Sequence, residues 1–161
     1  MTLTIIEIII ILLLSAFFSG MEIAFVSSNK LRVELDRSDA SLTSKILTIF
    51  YTRPNDFIST LLVGNNIALV VYGILMAGVI NEFVLSPIHL NQHEGLNVAL
   101  QTIISTLIVL VTGEFLPKTL FKINPNRMLK IFPVPAFIIY ILLSPVSKFP
   151  SPLSRGILHQ M

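Results

Sequence analysis

The sequence contains no cysteine, which excludes disulfides and thiolate metal sites outright. Charge is scarce as well. Only 12% of the 161 residues are charged, against 53% hydrophobic, and mean hydropathy is +0.83. That balance excludes an ordinary soluble domain and places the chain in the membrane class. A formal net charge of +2 is too small to point to nucleic acid. There is no Ser/His/Asp constellation, phosphate loop or dinucleotide fingerprint, so the chain is not expected to be an enzyme. No internal repeat or second domain is visible, and residues 1–161 read as a single transmembrane module.

What the sequence does have is long apolar runs, at about 3–26, 57–80 and 96–121. Roughly 20 apolar residues cross a bilayer core, so each is expected to span. The first run has no basic residue before it and is too long for a signal core, so it reads as a retained helix. A fourth run, about 131–146, carries Pro133, Pro135 and Pro145. At 1.5 Å per residue it reaches only about 22 Å, short of a core of roughly 30 Å.

The basic residues give a topology. Lys30, Arg32, Arg37, Lys45 and Arg53 fall between the first two runs, and none falls in residues 81–95. Lys118 stands at the end of the third run, and Lys122, Arg127, Lys130, Lys148 and Arg155 follow it. The positive-inside rule then puts the first connection in the cytoplasm and the N-terminus outside. Were the fourth run to span, Lys148 and Arg155 would be exported. A non-spanning or re-entrant fourth element keeps them inside, with the C-terminus cytoplasmic. Residues 29–52 alternate leucines and isoleucines with polar residues at near-helical spacing, as an amphipathic juxtamembrane helix would. Asp36, Ser38, Asp39 and Ser41 are expected to break it in two. The fold class is thus an all-α membrane protein: three spans plus interfacial helices on the cytoplasmic side.

Polar residues inside spans are costly and usually face protein or water. The first run holds Ser19, Gly20 and Glu22, the second Gly64, Asn65 and Asn66, and the third Gly113, Glu114 and Pro117. Each span therefore sets a glycine beside an oxygen-bearing side chain. Ser19, Asn65 and Glu114 each lie roughly 11–12 Å inside the cytoplasmic boundary at 1.5 Å per residue. Hydroxyl, amide and carboxylate oxygens at one level suit a hard cation such as Mg2+, which takes about six oxygens in tight octahedral geometry. Glycine lets backbones approach and local unwinding free carbonyls. Pro117 lacks an amide donor, so the Gly113 carbonyl four residues earlier loses its helical partner.

Other readings of the same residues stand beside this one. Glycine with Ser19 is also a helix-packing surface, and Asn65 and Asn66 can act as interhelical hydrogen-bond glue. Glu22 is close enough to the boundary to meet water or Lys30, and Glu114 can pair with Lys118 one turn on. Glu7 reads as interfacial. His89 and His93 have i,i+4 spacing in the outer loop, but without a third ligand they read as loop solvation rather than zinc ligands.

Three stretches carry a resemblance: FSGMEIAFVSSNKLRVEL, LLVGNNIALVVYG and VTGEFLPKTLFKINPNRML. In this order they are similar to the transmembrane module of the CNNM/CorC magnesium transport proteins, over nearly the whole chain. The resemblance implies a homodimer with a cytoplasmic belt of juxtamembrane helices, in a bacterial inner membrane. It implies export of Mg2+ driven by Na+, the ion being held dehydrated near mid-membrane. Ser19, Asn65 and Glu114 match the ligand positions, with Gly20 and Gly113 in the same motifs and Asn66, Glu22, Gly64, Pro117 and Lys118 around them. Many relatives carry a second asparagine where this chain has Leu69. Relatives also continue into cytoplasmic CBS domains that bind ATP. This chain ends at ILHQM and is expected to be an excised membrane module. The contrasting expectations are a membrane scaffold or partner-binding subunit, and an ion sensor that binds without translocating.

Overall fold

The structure is a computed structural model that describes residues 2–29, 41–88 and 93–148. Among these residues it is helical, with no strand. Helix α1 is Thr2–Ser27, α2 is Leu42–Thr52 and α3 is Pro54–Ile80, running on through a π-helical turn at Asn81–Leu85. Helix α4 is Glu94–Val109 and passes through a second π-helical turn, Leu110–Phe115, into α5, Leu116–Ile123. Two further helices, α6 (Pro125–Ile131) and α7 (Pro133–Lys148), close the described chain.

Thr2–Ser27, Pro54–Leu85 and Glu94–Ile123 are long and apolar enough to cross a membrane. The first connection's N-terminal part, residues 30–40, lies outside the described residues, as do His89 and the segment from 149 onward. Helices α6 and α7 meet at a bend of 73°. Pro133 opens α7, and a proline disfavours helical geometry in the residue before it, so the chain breaks at Phe132. Taken as one broken span, this pair would make a fourth crossing, or it dips in and returns.

Local chemistry sets the boundaries. The Ser41 hydroxyl accepts the Ser44 N–H at 3.3 Å and caps α2, satisfying a donor that the first turn leaves free. Pro54 stands in the first turn of α3 with Asp56 beside it. A proline there loses no helical bond, and an acid there faces the positive helix end.

Helix α1 is the central strut, packing on α3, α5, α6 and the second π-helical turn, while α7 lies along α3 and touches α2. The main core sits at the end of the bundle that carries the basic residues. Phe25, Phe50, Phe57, Leu61, Leu129, Ala136 and Tyr140 are buried together there. The Phe50 and Phe57 rings stack at 3.9 Å between centroids, and Tyr140 meets Phe50 edge-on at 5.9 Å. Aromatic pairs of this kind add about 0.5–1.5 kcal/mol each beyond area burial. They tie α2 and α7 to the foot of α3. Glycines admit the closest approaches. A β-carbon on Gly64 would lie 2.6 Å from the Phe18 ring and 3.1 Å from Leu143. Leu143 of α7 thus reaches Gly64, about 15 Å along α3 from its start at 1.5 Å per residue.

Candidate functional site

The three spans converge at one buried polar point. The Ser15 hydroxyl of α1 donates to Asn65 Oδ1 of α3 at 2.8 Å. Gly113 of the π-helical turn faces the same hydroxyl: a β-carbon there would lie 3.2 Å from Ser15 Oγ and 3.1 Å from Val109 Cγ2. Glycine is what lets the third span close on this pair. One turn along α1 toward the basic end is Ser19, which shares Ser15's helix face because residues four apart line up.

Ser19 is 0% exposed, and its Oγ has no hydrogen-bond partner. Several other hydroxyls in the spans are served. Thr60, Thr102, Thr112 and Thr119 each donate to the carbonyl four residues back. A buried hydroxyl left unpaired costs about 1–3 kcal/mol, and such groups are rare enough that each calls for a ligand, water or ion.

The remaining residues are distributed as follows. Asn65 is buried at 7% exposure, whereas Asn66, next along the helix, is exposed. Glu114 is half-buried on the π-helical turn and lines a cavity of about 490 Å3 between α3 and α4. Gly20 lies under the Phe121 ring, which a β-carbon would approach to 2.6 Å, so its role is to admit α5 against α1. Gly64 does the same for Phe18. Pro117 is buried, Glu22 and Lys118 are half-buried, and Glu7 and His93 are exposed.

The π-helical turn gives Pro117 a setting that its sequence did not. The Leu116 N–H bonds the Val111 carbonyl, five residues back, and Pro117 then brings no N–H at all. One extra residue per turn re-aims Gly113 and Glu114 relative to a regular helix, as π turns at functional sites do. Leu69, one turn from Asn65, is half-buried beside Tyr72, Ile8 and Val109 and lines the same cavity as Glu114.

Ser15 and Asn65 are in contact, Ser19 lies one turn along the same helix face, and Glu114 lines the separate space between α3 and α4; the groups these residues offer are hydroxyl, amide and carboxyl oxygens. Among the described residues no three His, Asp or Glu side chains cluster. Oxygen donors of this kind are hard ligands, of the type that hard cations take rather than soft transition metals.

The sequence matches the family model described as the cyclin M transmembrane N-terminal domain, CNNM, over residues 5–161. The chain belongs to the CNNM family. Curated relatives include the UPF0053 protein MG146 homolog of Mycoplasma pneumoniae, 30% identical over 94% of this chain and 35% of that protein. The UPF0053 inner membrane protein YfjD of Escherichia coli is 28% identical over 71% of this chain and 25% of that protein. The UPF0053 protein sll0260 of Synechocystis is 29% identical over 75% of this chain and 28% of that protein. The chain thus spans about a third or less of the length of these relatives. This CNNM chain is a membrane protein with several apolar helices.

Sequence reasoning missed Ser15. The pattern sought was a glycine next to an oxygen-bearing residue, and Ser15 has no neighbouring glycine. The available signal was its i,i+4 spacing from Ser19 within LLLSAFFSG.

Proposed function

We propose that this CNNM module transports Mg2+ across the membrane, exporting it at the expense of a Na+ gradient. The observation that carries the reading is the fully buried Ser19 hydroxyl without a partner, one turn from the point where three spans meet. An incoming cation supplies the missing partner. Ser19 and Asn65 donate neutral oxygens, and Glu114 brings the charge. In this reading Ser15 holds the Asn65 amide by its oxygen until the ion displaces that bond. A single carboxyl group keeps the charge of the site low, which suits a site that must also release its ion.

The same reading orients the chain. The basic connections face the cytoplasm of a bacterial cell and the N-terminus faces out. The α6–α7 pair is taken as re-entrant rather than spanning, on the strength of its short length, its prolines and the basic residues that follow it. Asn66 is a polar residue on the outer surface of a span, which lipid does not satisfy. That supports a second copy of the chain against this face, giving a homodimer. In the full-length protein, CBS domains would follow and regulate the module through ATP. The exposed Asn66 and the apolar Leu69 also fit a second reading, a membrane scaffold that binds a partner without moving ions.

Glu114→Gln separates the two. In vesicles loaded with Mg2+ it should reduce efflux at least about tenfold, the scale on which a removed charge acts at 1.4 kcal/mol per decade, with oligomeric state unchanged. Undiminished efflux together with altered complex recovery would favour the scaffold.

A further inference from the structure

Charge is divided unevenly along the chain. All nine acidic residues lie at or before Glu114, together with five of the eleven basic ones. Beyond Glu114 stand six basic residues and no acidic one. Four of these, Lys118, Lys122, Arg127 and Lys130, fall on α5 and α6, where the third span ends at Ile123. Lys122, Arg127 and Lys130 are exposed and Lys118 is half-buried. Among the described residues, Lys118, Lys122 and Arg127 have no hydrogen-bond or ion-pair partner.

Packing fixes which way this corner faces. Pro117 is buried. Phe121, four residues on, lies over Gly20 of α1, where a β-carbon would come within 2.6 Å of the ring. That turns two flanks of α5 outward. Lys118 and Lys122, one turn apart, make one flank. Leu116, Leu120 and Ile123 make the other, and all three are exposed. In α6, Leu129 is buried in the core, which leaves Arg127 outward together with Ile131, four residues on and also exposed. The Asn29 N–H donates to Asn126 Oδ1 at 3.2 Å and ties the corner to the chain just past α1.

We propose that this corner seats the headgroup of an anionic phospholipid at the membrane boundary. Lys118, Lys122 and Arg127 take the phosphate oxygens, and the flank of Leu116, Leu120 and Ile123 lies along the acyl chain. Ammonium groups on long apolar stems, set beside an apolar flank, hold interfacial helices at headgroup depth. Arginine adds a planar fork that matches phosphate oxygens two at a time. A second copy of the chain is a poor occupant. A two-fold interface uses the same patch on both subunits, which would bring basic side chains together. Residues 30–40 offer no complement either, since their three acidic residues are balanced by three basic ones. An anionic lipid supplies both the charge and the apolar chain that the two flanks call for. The inference rests on the spans alone and is independent of the transport reading.

The sequence has no tryptophan, so a single introduced one is a clean reporter. Ile123→Trp places it at the corner, at a position 68% exposed. Leu13→Trp, at a position 66% exposed in α1, is the comparison. The full chain would be reconstituted in bilayers of equal parts phosphatidylglycerol and phosphatidylcholine, with brominated acyl chains on one lipid or the other. Each basic side chain near an anionic headgroup strengthens association about fivefold. Quenching should therefore show phosphatidylglycerol preferred by at least about fivefold in Ile123→Trp, and neither lipid preferred in Leu13→Trp. Adding Lys118→Gln, Lys122→Gln and Arg127→Gln to the Ile123→Trp chain should bring the preference to about one. So should about 1 M salt, which screens charges within about 3 Å. Equal quenching by the two lipids at both positions would overturn the proposal, as would a preference that survives the three substitutions. No quenching by either lipid in Ile123→Trp would also overturn it, since protein would then cover the corner. Displacement of the brominated lipid by inorganic phosphate, beyond that by chloride at equal ionic strength, would make this a free-phosphate site instead.

Discussion

At the scale of single residues, Ser19 is the sharpest point of the account, because stability and ion binding pull it in opposite directions. Ser19→Ala removes an unpaired buried hydroxyl, so in metal-free detergent the protein should gain on the order of 1 kcal/mol. The same variant should lose the rise in melting temperature that Mg2+ produces. A variant that is destabilised without metal and still stabilised by Mg2+ would mean that the hydroxyl has a structural partner instead. Ser15→Ala should behave differently, losing about 1 kcal/mol through the Asn65 bond whether or not the ion is present. Thermal unfolding with and without Mg2+ reads both. Ser19 was legible in the sequence because a serine beside a glycine inside an apolar run is costly to place. Ser15 was not, since its meaning lies in a contact fifty residues away that no local pattern encodes.

At the scale of elements, the spans were legible because length and hydropathy alone decide whether a helix crosses a bilayer. The π-helical turns were not, because a change in hydrogen-bond register leaves little trace in composition; only Pro117 hinted at one. The ends of the runs were also set by residues that hydropathy ignores, such as Pro54, which starts α3 ahead of the apolar run. The docking of α2 and α7 on α3 depends on the aromatic stack. Phe57 is 0% exposed, and Phe57→Ala should cost about 3–5 kcal/mol, measured as a loss of thermal stability. Ser28 and Tyr51 share a hydrogen bond that joins the end of α1 to α2. Burial raises the Tyr51 hydroxyl above its ordinary value, with the Ser28 bond working the other way. The folded value thus lies above the unfolded one, so the protonated phenol's contribution is complete below about pH 10 and is lost as the pH rises through the folded value. Tyr51→Phe should remove this part of the alkaline destabilisation, visible as a flatter dependence of melting temperature on pH above that point. An unchanged pH profile would assign the alkaline loss to another group.

At the scale of the whole molecule, the bundle has two ends with different tasks. The basic end is held by a packed aromatic core, and its helices lean on α1 and α3 through glycines that admit rings. The opposite half holds a smaller core around Ile8, Tyr72 and Val109 and an open groove of mixed lining between α3 and α4. None of this asymmetry was legible in advance, because a void depends on how far apart two helices stand and not on either sequence alone. Gly73, Gly78 and Gly95 are helix glycines whose added β-carbon would meet nothing within 4 Å, and their positions in the sequence do not mark the groove.

The central claim is that three spans of this CNNM chain share one hard cation among Ser19, Asn65 and Glu114. Crystals grown with Mn2+ in place of Mg2+ test it most directly, because manganese gives an anomalous signal while keeping the preference for oxygen ligands. The account predicts a single strong peak per subunit in direct contact with Ser19 Oγ, the Asn65 amide oxygen and the Glu114 carboxyl group, with the Ser15–Asn65 bond displaced. A map in which Ser19 Oγ touches only protein atoms, and manganese binds elsewhere, would contradict it.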